Sequence, residues 1–116
     1  MMKVFENQIG GKSRINFVDA NNRFFGFATD LECCEEFGFY LSEKWDSNPI
    51  HQKQEVEFLR AKLSDVDFTQ SIFCGADFIC FRLSNGLYLY AFNIHNGFYC
   101  HGFYTRGFAE DVRGEI

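Results

Sequence analysis

The chain has 116 residues, among them 16 phenylalanines, 5 tyrosines and 1 tryptophan, and its formal net charge is −5. A hydrophobic fraction of 47% excludes a disordered chain, and an aromatic fraction of 19% excludes a coiled coil, which is built on Ala, Leu, Glu and Lys. The length suits one core, so residues 1–116 are expected to form a single β-rich domain.

Charge and cysteine content limit the partners and the compartment. Lys and Arg total 11 against 16 Asp and Glu, and the longest basic stretch is Lys12-Ser13-Arg14, so nucleic-acid binding is not expected. The first residues lack the apolar core of a signal peptide, and no run is long enough to span a membrane. The odd count of five cysteines agrees with a reducing compartment. A cytoplasmic protein without membrane attachment is therefore expected.

The first third of the chain predicts a β-hairpin. Residues 13–19 and 23–29 both alternate between apolar and other side chains, which is typical of strands. Asn21-Asn22 lies between them and favours a turn, because Asn tolerates left-handed backbone geometry. The residues that share the predicted apolar faces are Ile15, Phe17, Phe25 and Phe27.

The middle of the chain predicts a third strand and then a short helix. Residues 33–42 are extended in pattern, and Gly38 between two phenylalanines indicates a bulge or a close approach by another segment. Ser47-Asn48-Pro49 resembles a helix start, and a helix over about 50–63 is expected. Its apolar face would be formed by Val56, Leu59 and Leu63. A loop to about residue 57 followed by a strand is the alternative.

The last third predicts a three-stranded antiparallel meander over residues 78–106. Asn85-Gly86 is a strong hairpin signal, and Asn96-Gly97 repeats it. Two-residue loops would fix the pairing of side chains across the strands. The expected opposite pairs are Leu83 with Tyr88, Phe81 with Tyr90, Ile79 with Phe92, His101 with Phe92 and Phe103 with Tyr90.

These elements define the expected fold class, which is mainly β with at most one short helix near 50–63. About six strands with closely spaced turns predict an antiparallel sandwich or a partly open barrel that ends in the meander. Apolar residues on both faces of several strands indicate a sheet that is covered on both sides or dimerises through one. Cys74, Cys80 and Cys100 are expected to be small buried hydrophobes.

An acidic cysteine segment is the first candidate site. Cys33 and Cys34 are followed by Glu35 and Glu36, which could supply thiolate or carboxylate ligands. Adjacent residues of a strand point to opposite faces, so a turn or bulge would be needed for both thiols to bind one metal ion. The alternative is one buried and one half-buried thiol beside a solvated acidic edge.

The second predicted turn is the other candidate site. His95 and His101 flank Asn96 and Tyr99, and imidazole and thiolate are ligands that zinc accepts. The segment lacks the paired spacing of CxxC or HxxxH, so a metal site would require the cysteine segment to lie beside it. Otherwise His95 is a solvated turn residue and His101 a satisfied sheet residue.

Enzymatic chemistry receives less support from the residues. Cysteine paired with histidine is the only nucleophile arrangement the sequence offers, and the ten glycines form no phosphate-binding loop. A non-enzymatic protein without a cofactor is therefore expected.

Both motifs support a resemblance that spans roughly residues 14–104. Asp30 with Cys33-Cys34-Glu35, together with residues 92–100, resembles a family of small uncharacterised bacterial and phage domains. That family has an Asp-Cys-Cys-Glu segment and a late Asn-Gly-Tyr-Tyr-Ser turn. Departures are Leu31 and Glu32, which separate Asp30 from the cysteines, and Phe98 and Cys100, which replace the first Tyr and the Ser. The resemblance implies a small β-rich domain and brings no established activity.

The sequence therefore predicts a domain that acts by binding another protein, in an immunity-like or accessory-like role. The acidic balance would suit a basic partner. The alternative is a protein that binds a metal ion or small ligand through Cys33-Cys34-Glu35 and the His95–His101 hairpin. Exposed β edges and surplus phenylalanine also favour a homodimer.

Overall fold

The structure is a computed structural model and describes residues 2–29, 36–46, 53–94 and 101–116. These residues form nine strands and one helix, so a mainly β protein is confirmed and the expected six strands are too few. The strands are β1 (Lys3–Ile9), β2 (Lys12–Val18), β3 (Phe24–Ala28), β4 (Glu36–Ser42), β5 (Phe68–Cys74), β6 (Phe78–Leu83), β7 (Tyr88–Ile94), β8 (Gly102–Arg106) and β9 (Arg113–Glu115). The helix α1 spans Val56–Leu63.

The strands form two antiparallel sheets that pack face to face. The first sheet has the order β1-β2-β3-β8-β9, and the second has the order β4-β7-β6-β5. Phenylalanine rings from both sheets meet in the core, with the Phe25 and Phe81 centroids 4.5 Å apart and the Phe27 and Phe39 centroids 5.4 Å apart. Because neither sheet closes into a barrel, the fold corresponds to the predicted sandwich. No helix among the described residues is long and apolar enough to cross a membrane.

The predicted first hairpin is confirmed as β2–β3. Ile15 lies opposite Phe27 and Phe17 opposite Phe25, and all four side chains are buried as expected. The turn contains Asn22, whose φ of 60° is the left-handed geometry that Asn tolerates.

The predicted helix exists, but it begins at Val56 instead of near residue 50. Ser47-Asn48-Pro49 lies outside the described residues, and Glu55 still has an extended backbone. Gln54 donates its amide to the Phe39 carbonyl at 2.8 Å, and its side-chain oxygen accepts the Leu41 amide at 2.8 Å. These bonds hold the chain against the edge of β4 that faces away from β7, which excludes a helical conformation there. The alternative of a strand beginning near residue 57 is wrong, whereas Leu59 and Leu63 are buried as predicted.

Gly38 marks a close approach, one of the two predicted alternatives. Its strand pairs with β7 without a break, so there is no bulge at this position. A Cβ atom on Gly38 would lie 2.8 Å from Cγ of Lys53, in the segment that follows the edge of β4.

The register of the β6–β7 hairpin differs by one residue from the prediction. Leu83 donates its amide to the Leu87 carbonyl at 2.8 Å, so the loop has three residues and ends at Gly86, whose φ is 85°. Phe81 therefore lies opposite Leu89 and not opposite Tyr90. Since a shift of one residue reverses the faces of a strand, the predicted pairs of Leu83 with Tyr88 and Ile79 with Phe92 are also wrong. The buried outer face of β7 instead carries Tyr90 and Phe92.

The predicted meander over residues 78–106 is wrong in its third strand. The neighbours of β7 are β4 and β6, whereas β8 belongs to the first sheet between β3 and β9. Phe103 lies opposite Phe27 and not opposite Tyr90, and the expected pair of His101 with Phe92 is absent from the strand register. The chain thus changes sheet between β7 and β8, through residues outside the described ranges.

Two glycines with similar backbone geometry allow a matched test of the fold. Gly86 has a φ of +85° and open space where a Cβ atom would lie, whereas a Cβ on Gly107, with a φ of +87°, would lie 2.8 Å from the Asn22 carbonyl oxygen. We expect Gly86→Ala to lower the free energy of unfolding by about 1 kcal/mol. Gly107→Ala should lower it by about 2 kcal/mol or more, because backbone must also move. Urea denaturation measures both, and equal losses would contradict the packing of the loop after β8 against the β2–β3 turn.

Candidate functional site

Most of the predicted site residues lie outside the described ranges. These are Cys33, Cys34, Glu35, His95, Asn96 and Tyr99. Glu36 is the first residue of β4, and its backbone pairs with Ile94 at the end of β7. The strand that follows the first motif in the sequence, β4, and the strand that precedes the second, β7, are therefore neighbours in the second sheet.

His101 is a core residue in the structure. Its side chain lies between aromatic rings, 5.6 Å from the Phe27 centroid and 4.6 Å from the Phe37 centroid, and the residue is only 3% exposed. Nδ1 lies 2.6 Å from the Ala28 carbonyl oxygen, which can only accept, so this nitrogen carries the proton. His101 therefore has a buried position and one ring nitrogen bonded to the backbone, and its part in a ligand site stays a prediction.

A metal or small-ligand site stays a prediction. Among the described residues, no group of three or more His, Cys, Asp or Glu side chains could hold a metal ion. The other residues of the predicted site lie outside those ranges.

Two of the three cysteines that were predicted to be buried lie within the described residues, and one of these two is buried. Cys80 is fully buried in β6, whereas Cys74 is exposed at the end of β5. Cys74 was expected to be buried because aromatic residues surround it in the sequence, but β5 is an edge strand and this end of it faces solvent.

The outer face of the second sheet carries an aromatic cluster. It consists of Tyr40, Phe78, Cys80, Tyr90 and Phe92, all of which are buried. The rings of Tyr40 and Tyr90 stack with centroids 4.9 Å apart and planes 4° apart.

Trp45 covers part of this aromatic cluster. Its ring lies nearly parallel to that of Tyr90 at 6.3 Å and contacts Phe73 at 4.6 Å, while 42% of Trp45 remains exposed. The Asp46 amide donates to the Tyr90 hydroxyl oxygen at 2.7 Å, which anchors the loop after β4 over the sheet. The second sheet is therefore covered on both faces. Covering on both sides is one of the two arrangements predicted for a sheet with apolar residues on both faces.

Burial in the aromatic cluster changes the acidity of its side chains. Desolvation raises the pKa of the Cys80 thiol to about 12, and a hydrogen bond with Tyr90 acts in the opposite direction. Desolvation also raises the pKa of the Tyr90 hydroxyl to about 12, although the hydrogen bond from the Asp46 backbone lowers this pKa. The pKa of Tyr40 is raised by the same cause. All three groups are held in their neutral forms.

These shifts predict a loss of stability in alkali. An unfolded thiol ionises near pH 9, whereas folded Cys80 keeps its proton to about pH 12, so the unfolded state releases a proton that the folded state retains. The free energy of unfolding should therefore fall across this window, by up to about 1.4 kcal/mol per pH unit for one such group. Cys80→Ala should give a shallower slope in urea denaturation between pH 9 and 11. Equal slopes for both proteins would contradict the burial of this thiol.

The outer face of the first sheet combines arginines with aromatic rings. Strand alternation places Phe5, Arg14, Phe24 and Tyr104 on this face, opposite the buried residues that form the core. Phe5 is 39% exposed, and the rings of Phe24 and Tyr104 lie 5.2 Å apart. This face therefore presents charged and aromatic groups together.

Tyr104 is the centre of an arginine groove, which we define by Arg14, Tyr104, Arg106 and Arg113. The Cζ atoms of Arg14 and Arg106 lie 5.0 and 5.7 Å from the Tyr104 ring centroid, within the range of cation–π contacts. Arg113 lies directly opposite Tyr104 on β9. These side chains line a cavity of about 860 Å³ that runs over β8 and β9.

Sequence reasoning did not find this groove. Its residues are separated by up to about a hundred positions, and no basic run marks them. The one signal in the sequence is local. Tyr104 and Arg106 alternate with the buried Phe103 and Thr105, which indicates that they share the outer face of their strand.

Comparisons with known proteins do not identify the chain. No family model, no curated protein and no solved structure matches it. The resemblance to small bacterial and phage domains stays a prediction.

Proposed function

We propose that the protein is a non-enzymatic domain that binds another protein, in an immunity-like or accessory-like role in the cytoplasm. The observation that carries the proposal is the arginine groove on the outer face of the first sheet. Arg and Tyr are among the residues that contribute most to protein interfaces, because both combine a flat contact surface with hydrogen-bonding groups. Here they lie side by side on a regular sheet, which holds them in place before a partner arrives.

The exposed ring of Phe5 extends the proposed surface toward the other edge of the sheet. Phe5 lies on β1, which is separated by β2 from β3 in the sheet. Strand β3 carries Phe24, whose ring lies beside that of Tyr104. A surface with aromatic groups near its centre and charged groups around them has the composition of a transient protein interface. The homodimer predicted from the sequence would be one form of such an interaction and stays a prediction.

Photo-crosslinking from two matched positions tests the proposal. A photoreactive benzophenone amino acid is placed at Phe5, which is 39% exposed on the proposed surface, or at Phe58, which is 44% exposed on α1. In extracts of the native cells, we expect a discrete crosslinked protein from position 5 and none from position 58. Equal capture from both positions, or capture from position 58 alone, would contradict the proposed surface. Absence of any product would contradict protein binding.

A further inference from the structure

The arginines of the groove have no anionic partner within the described part of the chain. No ion pair within 4.0 Å joins Arg14, Arg106 or Arg113 to a carboxylate there. Nε of Arg14 is buried and makes no hydrogen bond with the described residues. Since a buried donor without an acceptor costs free energy, an added acceptor at this guanidinium would be favourable.

One of the two carboxylates that line the groove, Asp111, is already used by the fold. Oδ1 of Asp111 accepts the Phe108 amide at 2.9 Å and the Thr105 hydroxyl at 3.2 Å, and Oδ2 accepts the Gly107 amide at 3.2 Å. Asp111 therefore holds the loop between β8 and β9. Glu115 is the one other acidic residue that lines the groove, so three arginines face two carboxylates in a protein of net charge −5.

The groove runs beside a strand edge to which no other described strand is paired. His101 and Ile116 exchange backbone hydrogen bonds of 2.8 and 3.0 Å. From this pair onward along β8 and β9, residue pairs that share hydrogen bonds alternate with pairs that do not. Arg113 and Glu115 consequently occupy the positions whose amides and carbonyls point away from β8. β9 is the last strand of its sheet, and such an edge can accept an extended peptide as an additional strand.

We infer that the arginine groove binds an extended acidic segment of the protein partner. The segment adds its backbone to the edge of β9 and directs carboxylates toward Arg14, Arg106 and Arg113. Guanidinium and carboxylate groups carry opposite charges and can form two parallel hydrogen bonds with each other. The inference rests on the proposed function and names the chemistry of the partner. It differs from the basic partner expected from net charge, because the local charge of the contact surface decides which groups can approach it.

A nucleic acid fits these observations less well than a peptide. Three arginines within an acidic protein offer little of the counterion release that drives binding to phosphate backbones. The free amides and carbonyls of β9 match a peptide backbone, whereas a nucleic acid has no repeating donors for them.

A displayed library of random peptides tests the inference without knowledge of the partner. Selection on the wild-type protein is expected to enrich Asp and Glu at alternate positions, which is the spacing of side chains on one face of a strand. The double variant Arg106→Ala with Arg113→Ala should bind the enriched peptide at least about tenfold more weakly in fluorescence anisotropy. Arg82→Ala is the matched control, because Arg82 is exposed and lies 5.7 Å over the Tyr88 ring on the second sheet. It should leave the affinity unchanged.

Each other outcome counts against the inference. Enrichment of peptides without acidic residues, no enrichment at all, or equal weakening by Arg82→Ala would overturn it. Binding of a fluorescent single-stranded oligonucleotide more tightly than the selected peptide, with loss in the double variant, would assign the groove to nucleic acid. A protein crosslinked from position 5 together with a negative peptide selection would refute the acidic segment and leave the proposed function standing.

Discussion

Replacement of Asp19 by alanine is expected to lower the free energy of unfolding by about 3 to 5 kcal/mol, the range for removing one partner of a buried charged network. Asp19 is 4% exposed, and its Oδ1 accepts the Asn21 and Arg23 amides at 3.0 and 2.8 Å. Its Oδ2 accepts the Phe68 amide at 3.0 Å, across to the second sheet. The variant would thus leave buried donors of two elements without an acceptor.

Asp65→Ala is the control for this effect, because Asp65 is an exposed carboxylate directly after α1. Its loss should stay within about 0.5 kcal/mol, as for most surface substitutions. Urea denaturation followed by circular dichroism measures both variants. Similar losses for the two would show that the bonds from the β2–β3 turn to β5 do not hold the sheets together.

Phe81→Ala is expected to cost about 3 to 5 kcal/mol, as large-to-small changes in a core do. Phe81 is fully buried, and its ring lies 4.5 Å from Phe25, 5.1 Å from Phe68 and 5.9 Å from Phe108. The ring thereby joins both sheets and the loop before β9. Phe58→Ala removes the same atoms from an exposed position on α1 and should cost less than about 1 kcal/mol. A loss at position 81 no larger than at position 58 would contradict a shared core between the sheets.

Local pattern was enough to predict the hairpin β2–β3. Alternation of apolar residues on both strands defined the faces, and Asn22 provided the left-handed turn. The preceding strand β1 escaped prediction because Val4 is its only buried residue, so it has no apolar alternation. Gly10 and Gly11, with φ values of 60° and 78°, form the two-residue turn between β1 and β2.

Pairings that depend on turn geometry or on distant contacts could not be predicted. Asn85-Gly86 is compatible with loops of two or three residues. The loop has three, so the side chains of β7 lie on the faces opposite to those predicted. The alternation of β8 shows that it is half-buried but not which sheet it joins. Its position between β3 and β9 is a property of the whole core.

The arginine groove was missed for the same reason. Sequence reasoning favoured cysteine and histidine, whose chemistry is recognisable in short motifs. Arg14 and Arg113 are remote in the chain and share one face only through the order β2-β3-β8-β9. Net charge therefore pointed to a basic partner, whereas the acidic segment that we propose follows from the local surface.

Backbone NMR of the isotope-labelled protein, titrated with the selected peptide, tests the binding face most directly. Binding at the arginine groove predicts shift changes at Arg14, over Gly102–Arg106 and over Arg113–Glu115, with little change at Trp45 and Phe73 on the other sheet. Changes confined to Trp45 and Phe73, or spread evenly over both sheets, would contradict recognition by the outer face of the first sheet.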